Sequence, residues 1–243
     1  MPDNRFYIQV PFFDKNEPLF LEKEEFHHLA HVMRLKAGET IELINGMGSL
    51  AEAEITSLDK HRASLCVTSI QTDITPSHRL VLAQALPRLP RLEYIIEKSV
   101  ELGVTELWLF PGTFSEKKEV SPSGLERLHH IALSAMKQCG RLFMPKIILL
   151  PPLLKWTSEN IPTNAFFGDT RQSAISFPNS LNSDSFLIVI GPEKGLQEKE
   201  VLHLEKNLHM KGIKLHNNIL RTDTAAICAL SLASFALNTQ NQI

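Results

Sequence analysis

Apolar and polar positions change rhythm once along this chain, near Thr75-Pro76-Ser77. Before that point the apolar residues recur every second position. Thr40-Ile41-Glu42-Leu43-Ile44 alternates and runs into Asn45-Gly46, a strong hairpin signal, and 51–56 and 63–67 continue the alternation after it. Arg5-Phe6-Tyr7-Ile8 reads as an opening strand, and one amphipathic helix is predicted from about Glu24 to Leu35, ending before Gly38. A small β-barrel with one helix fits this half, over residues 1–74.

From residue 75 to 243 apolar strands alternate with amphipathic helices, the signature of a parallel α/β sheet. Strands are predicted at 80–86, 106–110, 146–150, 165–167, 186–190 and 213–215. Helices are predicted at 91–102, stopped by Gly103, and at 122–139, with Ser121 as N-cap, Pro122 at its first position and Gly140 as its stop. Two more, at 197–209 and 222–237, close the chain. The run Phe186-Leu187-Ile188-Val189-Ile190 has no polar member, as expected of a parallel strand buried on both faces.

Two turns follow such strands and expose backbone: Gly191-Pro192-Glu193-Lys194-Gly195, and Ile219-Leu220-Arg221-Thr222-Asp223-Thr224-Ala225. Ligands of open α/β sheets bind at the carboxyl ends of strands, so this pair predicts a cofactor pocket. Glu193 favours a zwitterionic or cationic ligand over a phosphate. Thr222, Asp223 and Thr224 could also serve as helix caps, whereas Arg221 lies just outside the helix and can face a ligand.

Composition narrows the choice of chemistry. Neither GxGxxG nor GxxxxGK[ST] occurs, which removes the usual marks of nicotinamide and nucleotide-hydrolysing sites, and GxSxG is missing too. Cys66, Cys139 and Cys228 form no CxxC pair, so neither a disulfide framework nor zinc is indicated. His27 and His31 stand four apart on the predicted helix, but the glutamate of HExxH is missing, and no metal is expected. No apolar run approaches the roughly 18 residues of a membrane span, and the first residues lack a signal-peptide layout. A cytoplasmic protein without a membrane partner is the expectation.

The net charge of −2 is unevenly spread. Residues 1–75 carry 7 Lys and Arg against 12 Asp and Glu, residues 76–150 carry 10 against 7, and the remainder 8 of each. Arg88, Arg91, Lys98 and Arg141 fall near loop ends in the positive middle third, where a phosphate-binding face and an ordinary solvated surface are both open readings.

Taken in order, these segments resemble the RsmE-like family, the small-subunit ribosomal RNA uracil-N3 methyltransferases of the SPOUT (α/β-knot) superfamily. The resemblance runs through His28-Leu29 to Val32-Met33-Arg34, then Asn45-Gly46-Met47-Gly48, Leu86-Pro87-Arg88, Lys98-Ser99-Val100-Glu101-Leu102-Gly103, Gln138-Cys139-Gly140-Arg141 with Pro145, and the two turns. It implies a PUA-like β-barrel (1–74) followed by a trefoil-knotted parallel-sheet domain (75–243) that binds S-adenosyl-L-methionine. It further implies methylation of N3 of a uridine in 16S ribosomal RNA, within the small subunit, by a homodimer. The alternatives are a knotted enzyme acting on a ribose 2′-OH or another base, and an inactive RNA-binding homologue.

Carried onto this chain, the resemblance gives Arg221 the catalytic role. It assigns the cofactor to Phe167, Gly168, Ile190, Gly191, Pro192, Glu193, Gly195, Leu215, Ile219, Leu220, Thr222, Thr224 and Ala225, and the RNA to Arg34, Arg88, Arg91, Lys98, Lys117 and Arg141. Four departures stand out: Lys194 where the family has glycine, Leu215-His216 for Leu-Gly, Asp223 for Glu, and Lys117 or Lys118 for an arginine. If position 194 requires a positive φ, its lysine is strained.

Overall fold

The computed structural model describes residues 4–11, 13–15, 17–177 and 185–240. It divides into two compact units: Met1–Thr75 with Met136–Met144, and Pro76–Ala135 with Pro145–Ile243.

In the first unit, β1 (Arg5–Tyr7), β2 (Leu19–Glu22), β3 (Thr40–Ile44), β4 (Ser49–Leu58) and β5 (Arg62–Thr72) form one sheet in the order β1-β3-β4-β5-β2. β1 runs parallel to β3 and the remaining pairs are antiparallel. Register shifts at Glu52/Ala53 and Ile55/Ser57 bend the long β4–β5 pair into a half-barrel. The period-two pattern now has its cause: Ala51, Ala53 and Ile55 are fully buried while Glu52, Glu54 and Thr56 face water. The inner residues meet Phe6, Leu21, Leu29, Ile41 and Leu43 in one core.

The single predicted helix is wound in two ways. α1 (Lys23–His27) continues as a π-helical segment, His28–Val32. The wider turn is closed by Met33 N–H donating to the His28 carbonyl at 2.9 Å. It ends before Leu35 because Arg34 adopts a left-handed backbone, φ 57°. The rings of His27 and His31 meet at a tilt of 49°, with centroids 5.0 Å apart. Among the described residues no group of three or more His, Cys, Asp or Glu could hold a metal.

Asn45-Gly46 opens the hairpin between β3 and β4, as expected. Four residues, 45–48, join β3 to β4, and the Asn45 carboxamide oxygen accepts from the N–H groups of Met47 and Ser49. The loop pairs with the 142–144 segment: Gly48 N–H donates to the Leu142 carbonyl at 3.0 Å and Met144 N–H to that of Gly46 at 2.9 Å. Gly48 combines φ 97° with a Phe143 ring packed where a Cβ would stand.

The second unit is a sheet of seven strands in the order β10-β12-β9-β11-β6-β7-β8, in which every pairing is parallel. Its strands are β6 (Arg79–Ala85), β7 (Glu106–Phe110), β8 (Lys146–Leu149), β9 (Asn164–Gly168), β10 (Ile175–Ser176), β11 (Ser185–Ile190) and β12 (Lys211–Lys214). The helices are α2 (Leu89–Glu101), α3 (Pro122–Cys139), α4 (Glu198–Lys206) and α5 (Thr222–Gln240). Ser121 caps α3 as predicted, its hydroxyl accepting from Gly124 N–H at 3.1 Å.

Alternation along β6 divides the core into two layers. Val81, Ala83 and Ala85 join Trp108, Phe110, Trp156, Phe167 and the α4 residue Leu204. The opposite set, Leu80, Leu82 and Gln84, lies on the other face, and α5 packs against β6, β11 and α2. After β12 the chain therefore returns past β9 to place α5 over β11 and β6. This return brings the start of α5 to the carboxyl ends of those two strands. None of the helices among the described residues is long and apolar enough to cross a membrane.

Gly48→Ala is expected to lower the stability of the first unit by about 1–3 kcal/mol, since it adds both left-handed strain and overlap with Phe143. Thermal unfolding followed by circular dichroism checks this, and an unchanged midpoint would show that the loop relaxes freely.

Candidate functional site

The two turns singled out in the sequence form opposite walls of one cleft in the second unit, with a volume of about 350 Å³. That lies within the range of small-molecule sites. One wall is the 191–195 turn after β11. The other is the 215–220 segment, which has no helix or strand, together with Thr222 and Ala225 of the first turn of α5; Arg221, between them, does not line the cleft. The floor comes from Gly168 and Asp169 at the end of β9 and from Ile190.

Local chemistry explains each wall. Pro192 to Gly195 is a tight turn closed by Gly195 N–H donating to the Pro192 carbonyl at 2.9 Å. Its left-handed residue is Gly195, φ 76°, and Lys194 has no positive φ. The strain conditional on position 194 is therefore not present, because the turn puts its left-handed backbone one residue later. Gly191 must lack a side chain: a Cβ there would lie 3.0 Å from the backbone nitrogen of Leu196, since the turn folds back on itself.

The walls are joined by a buried hydrogen-bond hub. The Thr222 hydroxyl donates to the Gly191 carbonyl at 2.6 Å. The Gln84 amide, at the end of β6, donates to the same carbonyl at 3.3 Å and to the Thr222 hydroxyl at 3.0 Å. Thr222 thus spends its side chain on the neighbouring turn instead of capping α5. The helix begins with the Arg221 carbonyl, which accepts from Ala225 N–H at 2.7 Å.

An ionic brace runs parallel to the hub. Arg91 on α2 lies 3.7 Å from the Glu193 carboxylate and 3.5 Å from that of Asp223. Glu193 also accepts from Arg88 N–H at 3.1 Å, so its charge is turned toward the start of α2. At the other end of the cleft, Arg171 forks onto Asp169, and its guanidinium also meets Glu205. Burial works to raise the Asp169 pKa, but the bonds from Arg171 outweigh it and hold the carboxyl below its ordinary value.

Of the thirteen residues assigned to the cofactor, eleven line this cleft: Gly168, Ile190, Gly191, Pro192, Glu193, Gly195, Leu215, Ile219, Leu220, Thr222 and Ala225. Phe167 does not, because strand alternation sends its ring into the core. Thr224 is exposed on α5 outside the lining. Asp169, Thr170, Arg171, Gln172, Leu196, Lys214, Asn217 and Asn218 complete the walls without having been singled out.

Arg221 is exposed at the start of α5, and among the described residues its side chain has no hydrogen-bond or ion-pair partner. That sets it apart from Arg79, Arg88, Arg91, Arg127 and Arg171, each held by a carboxylate.

The residues assigned to RNA fall into two sets. In the second unit Arg88 is forked onto Glu116, Arg91 is the brace just described, Lys98 lies between Glu97 and Glu101, and Lys117 is exposed. Arg34 and Arg141 belong to the first unit. Arg34 is exposed, whereas Arg141 is half-buried and its pKa is pushed below the usual arginine value by that burial.

Known proteins share this arrangement. Residues 75–234 match the family described as "RNA methyltransferase domain", and residues 21–65 match "RNA methyltransferase PUA domain". The ribosomal RNA small subunit methyltransferase E of Bacillus subtilis is 30% identical over 87% of this chain and 88% of its own. That of Rickettsia conorii is 27% identical over 95% of each. The crystal structure of a ribosomal RNA small subunit methyltransferase E from Neisseria gonorrhoeae, bound to S-adenosyl methionine, superposes with a TM-score of 0.84 at 25% identity. It covers 96% of this chain and 97% of its own. By these matches, this chain belongs to the RNA methyltransferase family that includes ribosomal RNA small subunit methyltransferase E.

Proposed function

We propose that this protein methylates N3 of a uridine in the 16S RNA of the small ribosomal subunit, using S-adenosyl-L-methionine, and that it works as a homodimer in the cytoplasm. The observation that carries the reading is the joining of the two turns into one cleft with the unpaired Arg221 beside it.

The residues present fit that cofactor. Ile190, Pro192, Leu196, Leu215 and Leu220 supply apolar contact for a nucleoside, and the turns bring backbone polar groups to the same space. When bound, the cofactor supplies a methyl group made electrophilic by its sulfonium. The protein's own work is then to position the reactants and to favour the charge that develops on the base.

N3 of uracil becomes a nucleophile by losing its proton to water, which leaves negative charge shared with its two carbonyl oxygens. Arg221 can meet one of those oxygens, and the positive end of the α5 dipole adds to its effect. Because N3 lies on the Watson–Crick edge, the base must be unpaired to reach the cleft. Arg34, Lys117, Arg141 and the carboxylate-paired Arg88, Arg91 and Lys98 are offered to RNA phosphates.

The pairing of two copies is supported by α5. Its composition is apolar almost all round, and Phe235 remains 73% exposed. Such a helix calls for cover on more than one side.

Nucleoside mass spectrometry of small-subunit RNA, from cells with and without the gene, tests the activity. Loss of 3-methyluridine is expected, whereas loss of a 2′-O-methyl nucleoside would reject the N3 assignment. Arg221→Ala is expected to reduce kcat by about 10²–10³-fold, the usual scale for removing an oxyanion-stabilising donor, with little change in the KM for S-adenosylmethionine. Full retained activity would remove Arg221 from the mechanism. Phe235→Glu is expected to convert a dimer to a monomer in sedimentation velocity, and a parent that sediments as a monomer would refute the pairing.

A further inference from the structure

The face of β6 that carries Leu80 and Leu82 ends in Gln84, a polar residue that is fully buried. Its amide nitrogen is well used: it donates to the carbonyl of Ala85 at 2.8 Å, to the Thr222 hydroxyl at 3.0 Å and to the carbonyl of Gly191 at 3.3 Å. Its amide oxygen is buried with no partner among the described residues. A buried polar atom left unpaired costs about 1–3 kcal/mol. Stability alone would favour an apolar side chain of the same shape here.

The neighbours settle which way the amide points. Two of the three groups around its nitrogen are carbonyl oxygens, which accept and cannot donate. Turning the amide over would set its oxygen against both of them. Thr222 offers no relief, because its hydroxyl proton already goes to Gly191.

The geometry points to Gln84 as a positioning residue for methyl transfer, a role that rests on the cofactor reading proposed above. Gln84 does not line the cleft. It reaches both walls from behind, one through the Gly191 carbonyl and one through the Thr222 hydroxyl, so a single amide sets their separation. Arg91 joins the same two walls at the surface, where solvent and salt weaken it. The buried brace is the one that keeps the cleft open to a fixed width.

Steady-state kinetics of the full-length protein on small-subunit RNA, with S-adenosylmethionine varied, tests this. Gln84→Met fills the space and removes the unpaired oxygen. We expect the KM for S-adenosylmethionine to rise at least about tenfold, kcat to change less than about threefold, and the melting temperature of the ligand-free protein to hold or rise. Thr222→Val should show the same split and Thr222→Ser should restore the parent value. The double variant Gln84→Met/Thr222→Val should be no worse than the poorer single one, because both cut one contact. A parental KM in Gln84→Met overturns the role, as does a loss of kcat in step with a fall in melting temperature. Should Gln84→Met fail to fold, Thr222→Val decides on the same criterion. A parent that binds no S-adenosylmethionine overturns the cofactor reading and this role with it, whereas an active parent with an unaffected variant overturns only the role of Gln84.

Discussion

Where β6, β11 and α5 converge, one carbonyl, one hydroxyl and one amide share a buried contact, and the cleft is defined by it. Gly191 follows directly on β11. Thr222 meets the Gly191 carbonyl at 2.6 Å and Gln84 supports both. In a buried environment such a contact is stronger than in water and costly to break, since each group would be left unpaired. The turn at 191–195 and the start of α5 are far apart in the chain, yet they behave as one surface through this contact. The apolar walls, the placement of Arg221 and the width available to a ligand all depend on it.

The carboxylates around the cleft are satisfied within the protein. Glu193, Asp223 and Asp169 each face an arginine, so the carboxylates brace the walls and do not stand free to meet a ligand. Glu193 lines the cleft and also has a structural role: its carboxylate accepts from Arg88 N–H, just before α2, and meets Arg91. Arg221 lies outside these pairs. An exposed arginine without a carboxylate, at the positive end of a helix, is prepared for an electron-rich partner that the protein does not itself supply.

Most of the architecture was legible in the sequence because its strands are buried on both faces and read as unbroken apolar runs. The bounds of β7 (Glu106–Phe110) and α3 (Pro122–Cys139) match the expected ones, since Gly and Pro mark their ends. β2 and β10 went unseen, being four and two residues long, too short for a period to appear. The hairpin at Asn45-Gly46 was legible, but the hold on its loop by a segment nearly a hundred residues later was not, since no local rule reports it. At the site, glycines and prolines announced the turns, and the lining at Asp169 to Gln172 did not announce itself, because it follows an ordinary strand end. Gln84 could have been found: it is the one polar residue inside Leu80-Val81-Leu82-Ala83-Gln84-Ala85-Leu86, and a buried amide in such a run requires partners. The resemblance joined the motifs in order, and the structure adds the reason that two of them act together.

Amide hydrogen exchange, with and without S-adenosylmethionine, tests the claim that the two walls form one site. The account predicts that the ligand slows exchange in 191–196 and in 216–225 together, at the same ligand concentration, while β4 and β5 of the first unit are unaffected. Protection of one wall alone, or of the two at separate concentrations, would contradict it.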